Sequence, residues 1–375
     1  MTLSYCSNVV AADTVEVLED RLLSVFAPAR ERAGLDQLGI GLWLPAHTMS
    51  RLAGDPPARR RLASILADHG LRVTTMNAFP YGHFHGESVK HAVYQPDWTT
   101  QQRLDYTRSC AEVLSELMVD VQQGSISTLP LGWADPWDNG SDARARHNLG
   151  TLSEHLRRIE EQTGRRIRLA VEPEPGCVIG SCGDAIDWFG RTAHGVDPTY
   201  IGLCLDTCHL AVMYEDPAEV VTGLAELGID VVKIQASNAI EIHDLAAEGV
   251  AEAFAEFSHS PYLHQANGVD GHGRRWFRDD LRLDDPSVPT SGHVRVHYHV
   301  PLHVSPPAPL SNTSYVLTEV MAMLCDATIP RPVDIEIETY TWEVLPASLR
   351  MPSLADDLAA EICWLEQLLT TREPA

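Results

Sequence analysis

The 375-residue sequence is poor in basic residues and has no long apolar run. Lys and Arg total 28 against 52 Asp and Glu, which gives a formal net charge of −24. So acidic a chain is a poor partner for nucleic acid or for an anionic membrane surface. No apolar run approaches the ~20 residues of a membrane span, and the first residues show no secretory signal. We therefore expect a cytoplasmic protein with no membrane span and no nucleic-acid partner.

Two kinds of binding motif are missing as well. The eight cysteines are spread along the chain, and the pairs Cys177/Cys182 and Cys204/Cys208 lack zinc-ribbon spacing. They are better explained as reduced thiols than as a disulfide framework. No G-x-G-x-x-G or G-x-x-x-x-G-K-[ST] follows the first strand, which removes the usual nucleotide-binding signals.

Strand and helix patterns alternate eight times along the chain, which predicts parallel strands joined by helical crossovers. We expect a (β/α)₈ TIM barrel that forms a single domain over residues 1–375. After the seventh strand a helix from Ala239 to Phe257 is predicted, and residues 259–311 are interpreted as an insertion before the eighth strand. The predicted strands are Tyr5–Val10, Gly39–Ala46, Arg72–Ala78, Gly124–Thr128, Arg168–Glu172, a run from Gly202, Val231–Ser237 and Val333–Tyr340.

Three carboxylates follow the ends of separate strands, namely Glu172, Asp206 and Glu338. The C-terminal strand ends of such a barrel form one catalytic face, where three acids would repel each other unless a cation lay among them. Oxygen and imidazole donors suit one Mn²⁺, Mg²⁺, Co²⁺, Fe²⁺ or Zn²⁺ ion. The alternative is structural: the acids bind backbone amides or pair with Lys233 and Arg168, Asp206 caps a turn, and His209 is an ordinary boundary histidine.

The strand ends also resemble a known family. Glu172-Pro173, Asp206-Thr207-Cys208-His209 and Glu338-Thr339-Tyr340 are similar to the E-P, D-T-x-H and late Glu signatures of xylose-isomerase-like barrels, which include ketose 3-epimerases. The resemblance implies that Glu172, Asp206 and Glu338 are metal ligands and that the two glutamates also transfer protons. It implies that His209 contacts substrate rather than metal.

The seventh strand departs from this pattern, because Gln235 stands near the position of the family's histidine ligand. An amide oxygen can bind a metal, but more weakly. The predicted insertion contains His297-Tyr298-His299, whose alternate spacing places both imidazoles on one strand face. His299 or His303 is therefore a candidate for the missing ligand. A solvent-facing histidine pair on a hairpin is the alternative.

Over most of its length the chain also resembles a narrower group, the metabolite traffic protein EboE family of bacterial gene clusters. The resembling segments are YCSNV, MNAFPYGHFHG, VYQPDW, GSISTLP, LAVEPEPGC, LDTCHLAV, KIQASNA, YLHQ, RVHYHVPL and IEIETYTW. The family name implies processing or export of a small metabolite and fixes no reaction.

Six residues are candidates for binding substrate at the same face. The loop from Phe79 to Gly86 combines aromatic rings with imidazoles and suits a lid over a polyhydroxylated ring, unless it is a packed Ω-loop. Trp342 stacks on such a ring or simply closes the barrel, and Lys233 binds an anionic group or neutralises Asp206. The candidates are Asn77, Tyr81, His85, His209, Lys233 and Trp342.

The sequence favours a metal-dependent isomerase or epimerase of a sugar, cyclitol or related polyhydroxylated metabolite. Glu172 and Glu338 would transfer a proton at a carbon next to a carbonyl. Metal-assisted lyase or hydrolase chemistry, with His297 or His299 as the acid, is a second hypothesis. A non-catalytic metabolite-binding protein on a degenerate barrel is a third. The barrel class suggests a homodimer by analogy alone.

Overall fold

Eight parallel strands close into a barrel, which confirms the predicted (β/α)₈ fold. The computed structural model describes residues 3–82, 84–85, 89–192, 195–258, 261–330 and 332–371. The eighth barrel strand pairs with both the seventh and the first, so the sheet has no free edge. The barrel strands are β1 Leu3–Cys6, β2 Leu38–Leu42, β3 Leu71–Asn77, β4 Gln123–Thr128, β5 Arg166–Val171, β6 Ile201–Asp206, β7 Val231–Ala236 and, last in the chain, β13 Asp334–Ile337.

Helices surround the barrel, and most of them begin at a side-chain cap that accepts a hydrogen bond from the first turn. Thr14, Asp55 and Thr100 cap α1, α4 and α5 in this way. A π-helical turn at Leu22–Phe26 joins α1 to α2. The helices are α1 Val15–Arg21, α2 Ala27–Arg32, α3 Ala46–Ala53, α4 Pro56–Asp68, α5 Gln101–Leu117, α6 Asn139–Thr163, α7 Cys182–Thr192, α8 Thr207–Val212, α9 Pro217–Glu226, α10 Val250–Ala255, α11 Ser314–Cys325 and α12 Leu354–Thr370.

A membrane span would need a helix that is both long and apolar, and none of the helices in the described ranges meets both conditions.

A second sheet of five antiparallel strands follows β7 without an intervening helix, in the order β10-β9-β11-β8-β12. The helix predicted from Ala239 is therefore wrong over its first residues, because Ala239, Ile240 and Ile242 are fully buried strand residues of β8. This sheet begins before the predicted insertion at 259–311 and spans most of it. Its strands are β8 Asn238–Ile242, β9 Ala266–Asp270, β10 Arg275–Arg278, β11 Gly292–Val300 and β12 Leu310–Asn312.

The barrel interior is polar rather than apolar. Lys233 of β7 and Glu336 of β13 are fully buried there, with Nζ 2.6 Å from Oε1. The Glu336 carboxylate fits only because residue 41 is glycine, since a Cβ on Gly41 would lie 1.3 Å from Oε2. This ion pair lies inside the barrel, beneath the strand ends that carry the candidate site.

Candidate active site

The three predicted carboxylates meet at the C-terminal mouth of the barrel. One oxygen from each of Glu172, Asp206 and Glu338 lies within 4.8 Å of the others, and all three residues are buried. Asp206 ends β6 and caps α8, where its Oδ1 accepts from the backbone N–H groups of Cys208 (2.7 Å) and His209 (3.0 Å). Among the described residues, Oδ2 of Asp206 has no hydrogen-bond donor. One oxygen is thus used for structure, and the other remains for a ligand.

Glu338 divides its oxygens in the same way. Its Oε1 accepts from Asn8 Nδ2 at 2.8 Å and from Asn77 Nδ2 at 2.7 Å. These amides, at the ends of the first and third barrel strands, hold the carboxylate in one orientation. The Oε2 atom of Glu172 has no hydrogen-bond partner within the described ranges. Buried polar atoms are normally paired. The unpaired oxygens of Asp206 and Glu172, which belong to one cluster, are therefore available to bind a ligand.

The carboxyl groups titrate far from their ordinary ranges. Burial raises the pKa of Glu172 well above its usual value, and the charges of Glu338 and Asp206 add to the effect. Burial and Asp206 likewise raise the pKa of Glu338. For Asp206 burial also acts upward, but His209, His299 and its hydrogen bonds outweigh it, so this pKa is lowered. The mouth therefore combines a carboxylate that stays ionised with two that retain protons easily, a pattern typical of acid–base sites.

Three buried histidines lie against these carboxylates, and each donates its Nδ1–H to a carbonyl oxygen. His209 donates to Pro173 O at 2.8 Å, His297 to Gln265 Oε1 at 2.8 Å, and His299 to Glu338 O at 2.6 Å. Because a carbonyl oxygen only accepts, the hydrogen must be on Nδ1 in each ring. Each Nε2 therefore has a free lone pair, as metal-binding histidines have when a carbonyl fixes their tautomer.

A second set of donors consists of Glu174, His209 and His297. His209 Nε2 lies 3.1 Å from Glu174 Oε2 and 3.2 Å from His297 Nε2. Glu174 Oε1 accepts from Tyr94 and Gln265, each at 2.8 Å, which leaves Oε2 facing the rings. A proton on one of these two Nε2 atoms, or a metal ion between them, would satisfy the pair.

Gln235, which stands near the position of the family's histidine ligand, contacts Cys204. Gln235 is fully buried on β7 beside Asp206, and its Oε1 accepts from Cys204 Sγ at 3.1 Å. His299 Nε2 lies 4.0 Å from Asp206 Oδ2 and has no other partner in the part of the chain that the structure describes. His303 instead stacks against Trp342 with the ring centroids 6.1 Å apart. The alternative of a solvent-facing histidine pair is wrong, because His297 and His299 are both buried.

The predicted substrate-binding residues are dispersed. Asn77 and His209 lie at the mouth, as described above. His85 binds Asn8 O through Nε2 at 2.7 Å, and burial lowers its pKa. Tyr81 packs against Tyr106, with the ring centroids 5.3 Å apart. Lys233 pairs with Glu336 inside the barrel rather than with Asp206.

Trp342 is also buried away from the mouth, and its Nε1 donates to Tyr5 Oη at 3.1 Å. Its indole N–H is therefore committed to the barrel wall. The predicted lid from Phe79 to Gly86 is only partly described, since His83 and Gly86 lie outside the described residues. Within it, Phe84 faces the cavity above the carboxylates.

That cavity contains about 490 Å³ of space not filled by protein atoms, part of which is open solvent. Glu174, Gln265, Tyr262 and Tyr340 also line it, although none of them is among the predicted site residues. Glu174 had a usable signal, because its spacing of two from Glu172 places both on one side of an extended segment. The other three depend on how the second sheet folds over the barrel, which no local pattern reveals.

A sequence model of the xylose isomerase-like TIM barrel family matches residues 29–244, more than half of the chain. The chain belongs to this family. The match covers Glu172, Asp206 and Gln235 but ends before His297, His299 and Glu338. The second sheet therefore lies almost wholly outside the matched region.

Solved structures of similar fold include D-allulose 3-epimerase from Methylomonas sp., at 13% identity and a TM-score of 0.52 over 98% of this chain and 96% of that one. The IolI protein with a bound zinc atom has 11% identity and a TM-score of 0.51 over all of both chains. A D-tagatose 3-epimerase-like protein has 14% identity and a TM-score of 0.52 over 99% and 98%. No curated protein matches the chain. Likeness at such low identity concerns the fold alone.

Proposed function

We propose that the chain is a divalent-metal-dependent isomerase or epimerase of a sugar, cyclitol or similar polyhydroxylated metabolite. One observation carries the proposal: Glu172 Oε2, Asp206 Oδ2 and His299 Nε2 are buried without a partner among the described residues, and Asp206 belongs both to a cluster with Glu172 and Glu338 and to a cluster with His209 and His299. Leaving buried polar groups unpaired costs about 1–3 kcal/mol each, so a bound ion would remove a large penalty. The three structures named above, two of them epimerases or epimerase-like and one with bound zinc, agree with the proposal.

The ligands of the ion are Glu172, Asp206, Glu338 and His299. His299 replaces Gln235, whose amide oxygen is turned toward Cys204. Oxygen and imidazole donors of this kind bind Mn²⁺, Mg²⁺, Co²⁺, Fe²⁺ and Zn²⁺, and all five remain candidates. When bound, such an ion polarises a carbonyl and makes the neighbouring C–H more acidic.

The residues of the chain supply the proton transfer. Glu172 and Glu338 project from strands that are not neighbours, so they approach a substrate in the mouth from different directions. Both glutamates line the cavity, within reach of a substrate carbon bound there. Asn8 and Asn77 hold Glu338 at a fixed angle, which limits the reorganisation needed at each turnover. Removal of a proton by one glutamate, as carboxylate, and donation of a different proton to the opposite face by the other, as carboxylic acid, would invert the carbon.

The lyase or hydrolase alternative needs His297 or His299 to protonate a leaving group. Burial lowers the pKa of His299 to about 4 and the pKa of His297 well below the usual value. In addition, the Nδ1–H of each ring is directed at a carbonyl oxygen, of Gln265 or of Glu338, and not at a leaving group in the cavity, which favours the isomerase or epimerase. Products of unchanged mass would support this choice, whereas loss of water or of a glycosyl group would favour the lyase or hydrolase.

We also propose membership of the EboE family. Eight of the ten segments that resemble it contribute to the same cavity; for example, Phe84 comes from MNAFPYGHFHG, Gln265 from YLHQ, His299 from RVHYHVPL and Tyr340 from IEIETYTW. Their convergence on one site is what a shared function would require.

The test is a screen of ketoses, aldoses and cyclitols with the metal-loaded chain, followed by Glu338→Gln. We expect Glu338→Gln to lower turnover by about 10²- to 10⁴-fold, the usual contribution of a general acid or base, with an unchanged melting curve. The exposed Glu343, five residues later, provides the control Glu343→Gln, which should keep full activity. Full activity of Glu338→Gln would refute the assigned role.

A further inference from the structure

The cavity above the carboxylates has an aromatic wall. Phe84, Tyr262 and Tyr340 form a triangle with ring centroids 4.8–5.0 Å apart. The Tyr340 ring lies 4.7 Å from the His299 ring, so this wall directly adjoins the proposed metal ligands. Val89 and Val93 pack against the same cluster. Half of the described lining residues are apolar or aromatic, and they lie together above the polar floor.

The described lining residues include one cation, Lys90, and it is already paired. Its Nζ contacts Asp280 Oδ2, and Asp280 Oδ1 also accepts from the backbone N–H of His264 at 3.1 Å. The backbone N–H groups of Val89 and Lys90 are used as well, since both donate to Pro261 O. The same cavity is lined by the acidic residues Glu172, Glu174 and Glu338, and Asp206 lies beside them.

The usual anchors for a phosphate group are also occupied. In TIM barrels phosphate often binds to the loops after the seventh and eighth strands, but here β7 continues directly into β8 of the second sheet. The first N–H groups of α8 donate to Asp206 Oδ1 rather than to the cavity. Phosphate recognition needs Arg, Lys or free backbone N–H groups; among the described lining residues Lys90 is paired with Asp280, and the backbone N–H groups of Val89, Lys90 and His209 are used.

We propose that this site takes an uncharged polyhydroxylated metabolite that carries an apolar aryl or alkyl group, and that it does not take phosphorylated sugars. The hydroxyl groups lie on the carboxylate and histidine floor, while the apolar group packs against Phe84, Tyr262 and Tyr340. The inference rests on the proposed function for the location of the reacting carbon, and it adds the class of substrate.

The test measures binding to the full chain loaded with Mn²⁺, by isothermal titration calorimetry. The probes are methyl glucoside, phenyl glucoside, hexyl glucoside, fructose and a phosphate ester of fructose. We expect phenyl or hexyl glucoside to bind about tenfold more tightly than methyl glucoside, since an apolar group leaves water. We expect the phosphate ester to bind at least tenfold more weakly than fructose.

The variants Phe84→Ala and Tyr262→Ala should each reduce the preference for the phenyl or hexyl group, whereas Tyr262→Phe keeps the ring and should retain it. Two alanine variants are used so that one still tests the inference if the other fails to fold, which thermal melting would reveal. Equal binding of all three glucosides, or no binding of any of them, would overturn the inference, as would tight binding of the phosphate ester. These results are separable from failure of the proposed function, which would appear as loss of bound metal or of proton exchange while the binding preference persists.

Discussion

At the scale of residues, the proposed metal site depends on how each polar side chain divides its atoms: one atom binds the protein, and another is available to a ligand. Asp206 uses Oδ1 to cap α8 and leaves Oδ2 free. Glu338 binds two asparagines through Oε1, and His299 uses Nδ1 to bind Glu338 O. Each of these residues is therefore held by one atom and keeps another for an ion. This division makes the ligand set testable atom by atom.

The first prediction concerns the fourth ligand. His299→Ala should weaken Mn²⁺ or Co²⁺ binding by more than about 100-fold, the upper end of what losing a ligand's hydrogen-bond partner costs. Gln235→Ala should weaken it less than about tenfold, because the Gln235 amide binds Cys204. A competition titration with a chelating dye measures both values.

His303→Asn is the matched control, since His303 lies in the same segment but stacks on Trp342. It should leave the affinity unchanged. A larger loss in Gln235→Ala than in His299→Ala would return the ligand role to the seventh strand.

The sequence predicted the residues at strand ends better than those that depend on tertiary contacts. Glu172, Asp206 and Glu338 were selected because strand ends of a parallel barrel meet at one face, and the structure brings all three together. Lys233 and Trp342 were selected by the same rule, but their partners, Glu336 and Tyr5, draw them into the barrel interior and wall. Alternation along a strand gives the side of a side chain, but not which neighbour it will bind.

At the scale of elements, β11 is the unusual contribution. It belongs to the second sheet, yet it brings His297 and His299 to the barrel mouth, and its bulge relative to β8 lies between Val296 and Val300. The sequence shows that His297 and His299 lie on one face of a strand, but not that they reach the barrel mouth. The pattern of a strand does not indicate which sheet the strand will join. The same gap explains the missed strand β8, whose residues also fit a buried helix.

Helix α12 provides a prediction about pH. Its Glu361 is fully buried and accepts from Leu302 N and Thr339 Oγ1, each at 2.8 Å, while Tyr5 Oη also contacts it. Burial raises the pKa of Glu361 to about 7, whereas an unfolded glutamate titrates near 4.3. The folded state therefore keeps the proton up to a higher pH than the unfolded state does. The contribution of Glu361 to the free energy of unfolding is complete below about pH 4 and is lost as the pH rises through about 7.

This single group should lower the free energy of unfolding by about 3–4 kcal/mol between about pH 4 and 8. Glu361→Gln cannot ionise, so its stability should change less over that range when measured by urea denaturation. Glu366→Gln on the same helix, at a position that is only half-buried, serves as control and should follow the wild type. Equal pH dependence of all three proteins would show that Glu361 is not held protonated.

At the scale of the whole molecule, the fold class was the easiest property to predict. Eight alternations of strand and helix, with glycine and proline between them, leave few topologies open, and the closed barrel confirms the choice. The second sheet and the cavity that it helps to form were not predictable, since they arise from contacts between segments far apart in the chain. Tyr262 and Tyr340, 78 positions apart in the printed sequence, show this directly, because their rings pack at 4.8 Å.

We propose that the barrel mouth holds a divalent ion on Glu172, Asp206, Glu338 and His299. The most direct measurement is elemental analysis of the purified full chain after incubation with Mn²⁺, Co²⁺ or Zn²⁺ and removal of the excess, beside Asp206→Asn treated identically. We predict at least one tightly bound ion per wild-type chain and its loss in Asp206→Asn. The melting temperature should rise on metal addition in the wild type alone. A wild-type chain without bound metal, or an Asp206→Asn variant that retains as much metal as the wild type, would contradict the proposal.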